Sequence, residues 1–309
     1  MILAMGLCQK GTPIKAAISN VRREILKGLS QHLAVTSART RLGDLEVRIP
    51  LVYGLGADHL SRHELPWTHY FLASLLRLTP GALVDIGANV GLYLIWLKSI
   101  DKQRQYVGFE PNPACYWYLQ ELIRYNNFEN AQTFPVALSD SRQMRTFFVK
   151  RLGDKMGSLL ETHRAGEDKP RSFDLITERG DPTIQVLGLD AIAAIKIDVE
   201  GFELEVLQGL RETLAKYGPT VICEIYSLDL EHPEYQARRE RMEKLFSFLE
   251  SCDYAMLSMG LDKKLHVMEQ AADCRKAMQV DRLLVRRDKL ERVKEAWALV
   301  GDRSLSSTA

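Results

Sequence analysis

The sequence predicts an α/β protein, a mostly parallel sheet with helices on both faces, preceded by an N-terminal extension. Three observations lead there. Short apolar runs of strand length, ALVDI, QYVGF and IAAIKID, alternate with segments of helical spacing, and that alternation builds a parallel sheet covered on both sides. Hydrophobic residues make up 46 % of the chain and charged ones 26 %, enough apolar material for the core such a sheet needs. The strand IKID ends in an acid at residue 198, where open α/β sheets place their ligands.

The elements follow in order. IKAAISNVRREILKGLSQHL, residues 14–33, reads as a basic amphipathic surface helix, and EVRIPLVY, residues 46–53, as a short strand. WTHYFLASLLRL has helical spacing and stops at Thr79-Pro80-Gly81. ALVDI is a buried strand, VGLYLIWLKSI a helix, QYVGF a second strand, Pro113 to Tyr125 a second helix, and AQTFPVAL a third strand despite its proline. MRTFFVK is a strand, and the polar stretch after it reads as an excursion over the sheet. IAAIKID, PTVICEIY, DYAMLSM and VDRLLVRR are further strands; EVLQGLRETLAKYG, Glu234 to Ser251 and ERVKEAWALV are helices. The chain divides into an extension over 1–65, a main domain over 66–290 with a variable insertion at about 151–188, and a terminal helix with frayed tail over 291–309.

Bulk properties exclude several classes. With 41 Lys and Arg against 40 Asp and Glu, the near-neutral charge gives no pull toward nucleic acid or an anionic membrane. The cysteines, Cys8, Cys115, Cys223, Cys252 and Cys274, are dispersed and form no CxxC, which argues against a disulfide scaffold or a zinc site. The apolar opening is short and no charge precedes it, so a signal peptide is not expected. No apolar run reaches the ~18 residues of a spanning helix. A cytoplasmic location is the expectation.

VDIGANVGLYLIWL, residues 84–97, joins a strand to a helix through two glycines. Either the helix packs unusually close to the sheet, or a ligand sits against bare backbone. The spacing differs from G-x-G-x-x-G, and no Gly-Lys-Ser/Thr follows. Glu110 ends the next strand, 25 residues after Asp85. An acid there can accept both hydroxyls of a ribose, or simply face solvent at the start of the next loop. Asp85 beside the turn would suit positive groups and repel pyrophosphate, or would cap the turn. The balance favours S-adenosylmethionine, whose sulfonium and ammonium are cationic, over a dinucleotide.

IKIDVEGFELEVLQG, residues 195–209, gathers Lys196, Asp198, Glu200, Glu203 and Glu205 around one glycine. Glu203 and Glu205 fall in a first helical turn, where acids are favourable on their own account. Asp198 and Glu200 at a strand end are poor ingredients for a core. Glu224 interrupts VICEIY, and a charge there is either paired or faces a cleft.

VDIGANVGLY, GFEPNP, PVALSD and above all IKIDVEGFELEVLQG followed by VICEI resemble the FkbM-type methyltransferases, over roughly residues 80–226. The resemblance implies a class I, Rossmann-like fold of seven strands, the last antiparallel, and S-adenosyl-L-methionine-dependent methylation of a hydroxyl on a small molecule, sugar or natural product. By resemblance, Asp85, Gly87, Ala88, Asn89 and Gly91 form the donor-binding turn and Glu110 holds the ribose. Ala137 lies near the adenine with Ser139 just beyond. Asp198, Glu200, Gly201 and Glu203 match the family's Asp-Val-Glu-Gly-x-Glu signature. Only five residues separate Leu189-Asp190 from Lys196, closer than the family pattern.

A hydroxyl acceptor loses a proton on methylation, so a base would help. Asp198 is the first candidate, then Glu200 or Glu224. His163 in the variable loop is either an acceptor-side base or an exposed loop residue. His59 and His63 meet H-x-x-x-H beside Asp58 and Glu64, but no recognised ligand pattern, and no metal is expected. The partner expected is a small-molecule hydroxyl acceptor; the amphipathic pieces at 14–33 and 234–251 pack internally or face a second copy. Two other classes compete, a non-enzymatic module that keeps the fold for binding or assembly and a nicotinamide-dependent oxidoreductase.

Overall fold

The computed structural model describes residues 37–52, 55–60, 66–149, 157–159, 171–259, 264–274 and 281–300. The expected helix at 14–33, His63, Glu64, His163 and the tail beyond residue 300 lie outside the described residues.

An N-terminal hairpin pairs β1 (Ser37–Leu42) with β2 (Leu45–Pro50). After α1 (Trp67–Leu78) come β3 (Ala82–Ile86), α2 (Leu92–Ile100), β4 (Tyr106–Phe109), α3 (Pro113–Asn126) and β5 (Ala131–Phe134). Next are β6 (Ala137–Ser139), β7 (Gln143–Val149), β8 (Arg171–Arg179), α4 (Gly180–Val186) and β9 (Ile192–Ile197). The chain continues through α5 (Glu203–Gly209), α6 (Arg211–Tyr217), β10 (Thr220–Glu224), α7 (Tyr235–Ser251), β11 (Tyr254–Met259), β12 (Leu265–Met268), β13 (Asp281–Arg286) and α8 (Leu290–Ala298).

The main sheet has the order β12-β11-β13-β10-β9-β3-β4-β5. The pairs from β10 through β9, β3 and β4 to β5 are parallel, and β13 runs antiparallel to its neighbours. Among the described residues the sheet thus has eight strands where seven were expected. The antiparallel last strand is in place, and β12 is added at the edge because the chain after β11 folds back on it, Met256 opposite Met268. Alternate residues of the central strands feed two cores on opposite faces, Leu83, Tyr106, Ile222 and Leu283 on one, Val84, Val107, Val221 and Leu284 on the other. That period of two explains why these strands read as continuous apolar runs.

Three expectations are corrected. AQTFPVAL is two strands in two sheets, since Pro135 has no N–H to continue the ladder. The excursion over 151–188 contains β8 and α4; β8 joins β6 and β7 in a three-stranded sheet of order β6-β8-β7. The helix expected over 205–218 is two helices broken at Leu210, where Gly209 packs so closely on the Ser139 backbone that a Cβ would collide with the Ser139 carbonyl.

Candidate functional site

Following the chain, strands are added outward from β3 to β4 and β5, then on its other side as β9 and β10. The β3–β9 boundary is therefore a topological switch point, where the loops leaving the strand ends part and a cleft opens. A cleft lies there, the usual place for a small-molecule site in an open α/β sheet. Its lining follows the sheet order. Val136 and Ala137 come from beyond β5, Phe109 and Glu110 from the end of β4, Gly87 and Asn89 from the turn after β3, and Asp198 and Glu200 from the loop after β9. One side is apolar and the other acidic.

The glycines of the turn answer to packing. Gly87 has φ +75°, and a Cβ on it would run into the Asp198 carbonyl. Gly91, φ +77°, would meet Leu119 Cδ2 at 2.7 Å and Leu122 Cδ2 at 2.9 Å. The tight turn thus brings the β3 and β9 loops into contact and seats α2 on α3. Asn89 is also left-handed, φ 51°, and its backbone N–H donates to Glu110 Oε2 at 2.7 Å. Glu110 Oε1 accepts from the Asn112 N–H at 2.8 Å. Burial pushes the Glu110 carboxyl up to about 7, against the pull of those two amides.

Lys196 sits behind the cleft. Its Nζ donates to the Gly87 carbonyl at 2.5 Å and lies 3.3 Å from Asp85 Oδ1 and 3.5 Å from Asp198 Oδ2. Burial lowers the Lys196 ammonium, but Asp198 and Asp85 more than reverse this and leave it raised, so it is charged. Asp85 is fully enclosed: Oδ2 accepts from the Tyr106 hydroxyl at 2.6 Å, Oδ1 has no hydrogen bond, and burial raises its pKa. Asp85 does not line the cleft, and Lys196 lies between it and Asp198.

The other wall is a row of acids at adjacent strand ends. Glu224 stands directly opposite Asp281 across β10 and β13 and within hydrogen-bond reach of Asp198. Burial first, then Asp198, Glu200 and Asp281, push the Glu224 carboxyl well up, which favours its protonated form as a donor toward Asp198. Burial and Asp198 push Asp281 up to about 6. Glu200 has φ 56°, and its Oε2 accepts from the Tyr226 hydroxyl at 2.9 Å. Glu203 Oε1 accepts from the Gly201 N–H at 2.9 Å and the Val199 N–H at 3.3 Å, pinning the loop between them.

Of the residues singled out in the sequence, Gly87, Asn89, Glu110, Ala137, Asp198 and Glu200 line the cleft. Asp85, Ala88, Gly91, Ser139 and Glu224 do not. Ser139 is buried, and its hydroxyl donates to Asp140 Oδ1 at 3.0 Å. Tyr226 and Asp281 were missed; only the strand register reveals Asp281, and Tyr226 was visible as the residue two beyond Glu224. His59 Nε2 is 2.9 Å from the Val90 carbonyl and its ring stacks on Tyr118. Among the described residues no group of three His, Cys, Asp or Glu is placed to hold a metal, and no helix is long and apolar enough to cross a membrane.

This strand order, with its antiparallel final strand and its cleft at the switch point, is a Rossmann-like methyltransferase fold. The family described as the Methyltransferase FkbM domain matches residues 85–256, more than half of the chain, and the chain belongs to that family. Methyltransferase sdnD of Sordaria araneosa is 27 % identical over 184 residues, covering 51 % of this chain and 71 % of the relative. Methyltransferase 1 of Beauveria bassiana is 27 % identical over 150 residues, 41 % of this chain and 57 % of that one. Among solved structures, a methyltransferase FkbM from Methylobacillus flagellatus matches with 18 % identity and a TM-score of 0.43, over 76 % of this chain and 53 % of that chain. The match thus spans little more than half of the last two proteins.

Proposed function

We propose that this chain is an S-adenosylmethionine-dependent O-methyltransferase acting on a hydroxyl of a small molecule. The observation that carries the reading is the cleft's polarity across the sheet, apolar over β4 and β5, a buried acid at Glu110, then Asp198 and Glu200 beyond β3. The donor's adenine, ribose, and sulfonium and ammonium groups suit that sequence of environments, and a row of acids opposes a pyrophosphate. When bound, S-adenosylmethionine supplies a methyl on a positive sulfur, which leaves as a neutral thioether as the new C–O bond forms.

The chain's residues then have distinct tasks. Phe109, Val136 and Ala137 offer the apolar slot, and Glu110 retains lone pairs for ribose hydroxyls after binding two amides. Asp198 lies between the Lys196 ammonium and the Glu224 carboxyl. That pairing orients the Asp198 side chain, whose oxygens can take the acceptor hydroxyl proton while its neighbours keep it from swinging away. Positioning supplies the remainder of the rate.

Two measurements test the reading. Calorimetric titration with S-adenosylhomocysteine and, separately, with NAD should show micromolar binding of the first alone. NAD binding without a response to S-adenosylhomocysteine would replace the proposal with an oxidoreductase, and silence from a folded protein would favour a non-enzymatic module. Asp198→Asn should lower turnover by about 10²–10⁴-fold with donor affinity little changed; equal loss of both would make Asp198 a binding residue.

A further inference from the structure

A second cavity adjoins the cleft and has no part in the donor site. It lies between α5, α7 and the segment after β10 and is open to solvent on one side. Its walls are aliphatic: Leu204, Ile225, Leu228, Met242 and Leu245 face it, each nine-tenths or more buried. Its mouth is polar. Arg238 stands there in a loose 3.8 Å ion pair with Glu234, whereas Arg241 is taken up by Glu205 and the Gly201 carbonyl. The loop 198–203 separates the two spaces and alternates between them. Asp198, Val199, Glu200 and Phe202 line the donor cleft, while Gly201 and Glu203 line the second cavity. Tyr226 lines the second cavity and donates its hydroxyl to Glu200 Oε2 at 2.9 Å, so this pair bridges the partition.

We infer that this cavity is the acceptor pocket, and that the acceptor is a small molecule with an apolar skeleton, its reactive hydroxyl reaching the donor cleft beside the Tyr226–Glu200 pair. The inference rests on the methyltransferase reading and sharpens its substrate class. A free sugar would present hydroxyls on every side, and a wall of Leu, Ile and Met would strip their water without replacing its hydrogen bonds. An aliphatic or polycyclic body loses nothing there and gains close contact. Arg238 at the mouth suits an anionic or polar end left in solvent.

The test uses 8-anilino-1-naphthalenesulfonate, which has an apolar body and one anionic group, on the intact chain. Wild type should bind it saturably, with fluorescence enhancement. Ala237→Trp places an indole in the mouth from an exposed position and should weaken the probe by about tenfold or more, while S-adenosylhomocysteine binding by calorimetry is unchanged. Arg238→Ser, which adds no bulk, should weaken it less. S-adenosylhomocysteine should shift probe affinity about fivefold, and Tyr226→Phe should remove most of that coupling. No saturable uptake, or uptake unaffected by both pocket variants, overturns the pocket. Saturable uptake with no coupling overturns its assignment to the acceptor. Probe binding that behaves as expected in a chain that ignores S-adenosylhomocysteine overturns the methyltransferase reading instead and leaves an apolar ligand site.

Discussion

Lys196 shows how one buried cation organises the centre of the molecule. It joins β9 to the turn after β3 through the Gly87 carbonyl and offsets two carboxylates, Asp85 on β3 and Asp198 in the loop after β9. Lys196→Met would leave Asp85 enclosed without its counter-charge. Removing one partner of a buried pair is worth roughly 3–5 kcal/mol, and urea unfolding should show a loss of that size; a loss within error would mean Asp85 is protonated and needs no partner. Glu203 makes a different statement. Burial moves its carboxyl from 4.5 to about 7, so the folded chain holds the proton more tightly than the unfolded one. Its contribution to stability is complete below about 4.5 and is lost as pH rises through about 7. Glu203→Gln should therefore gain on wild type across that window and hold a constant lead above it, measured as unfolding free energy against pH. A gap that ignores pH would place the Glu203 proton elsewhere.

At the scale of elements, the turn after β3 is the most constrained. Gly87→Ala must accommodate a side chain at φ +75° against the Asp198 carbonyl, and both the strain and the clash act on the loop that carries the acids. The variant should unfold at lower urea and bind S-adenosylhomocysteine more weakly; undisturbed stability would show that the two loops have room to separate. This turn, Glu110, Asp198 and Glu200 were legible in the sequence because strands buried on both faces announce themselves as apolar runs, and a charge at the end of such a run stands out. The sheet of β6, β8 and β7 was not legible. In β8, Arg171, Ser172, Asp174 and Arg179 are exposed, so it reads as a polar stretch. The break at Leu210 was hidden for another reason. Its cause is the approach of Gly209 to β6, a contact about 70 residues away along the chain that local propensity does not encode. Asp281 entered the site through its register with Glu224, which no single strand reveals.

Over the whole molecule, the two ends of the described chain close the same core. The hairpin of β1 and β2 is fastened to α3 by Asn126, which accepts from the Arg48 N–H at 2.7 Å and donates to the Arg48 carbonyl at 2.8 Å. From the other end, α8 brings Trp297 to within 5.4 Å of the Trp67 ring and 6.0 Å of Phe71 on α1. Trp297→Ala should destabilise the protein by about 3 kcal/mol, with S-adenosylhomocysteine affinity retained in the folded fraction; a lost affinity at full stability would tie α8 to the site instead. The cleft has its own fastening in Glu110, which clasps the amides of Asn89 and Asn112 with its two oxygens. A molecule that draws on that same carboxyl grips the hinge of two loops as well as a binding group. On the proposed donor reading, occupancy and loop order become one equilibrium: filling the cleft should slow hydrogen exchange at both amides, and a ligand that lacks the hydroxyls should leave that exchange unchanged.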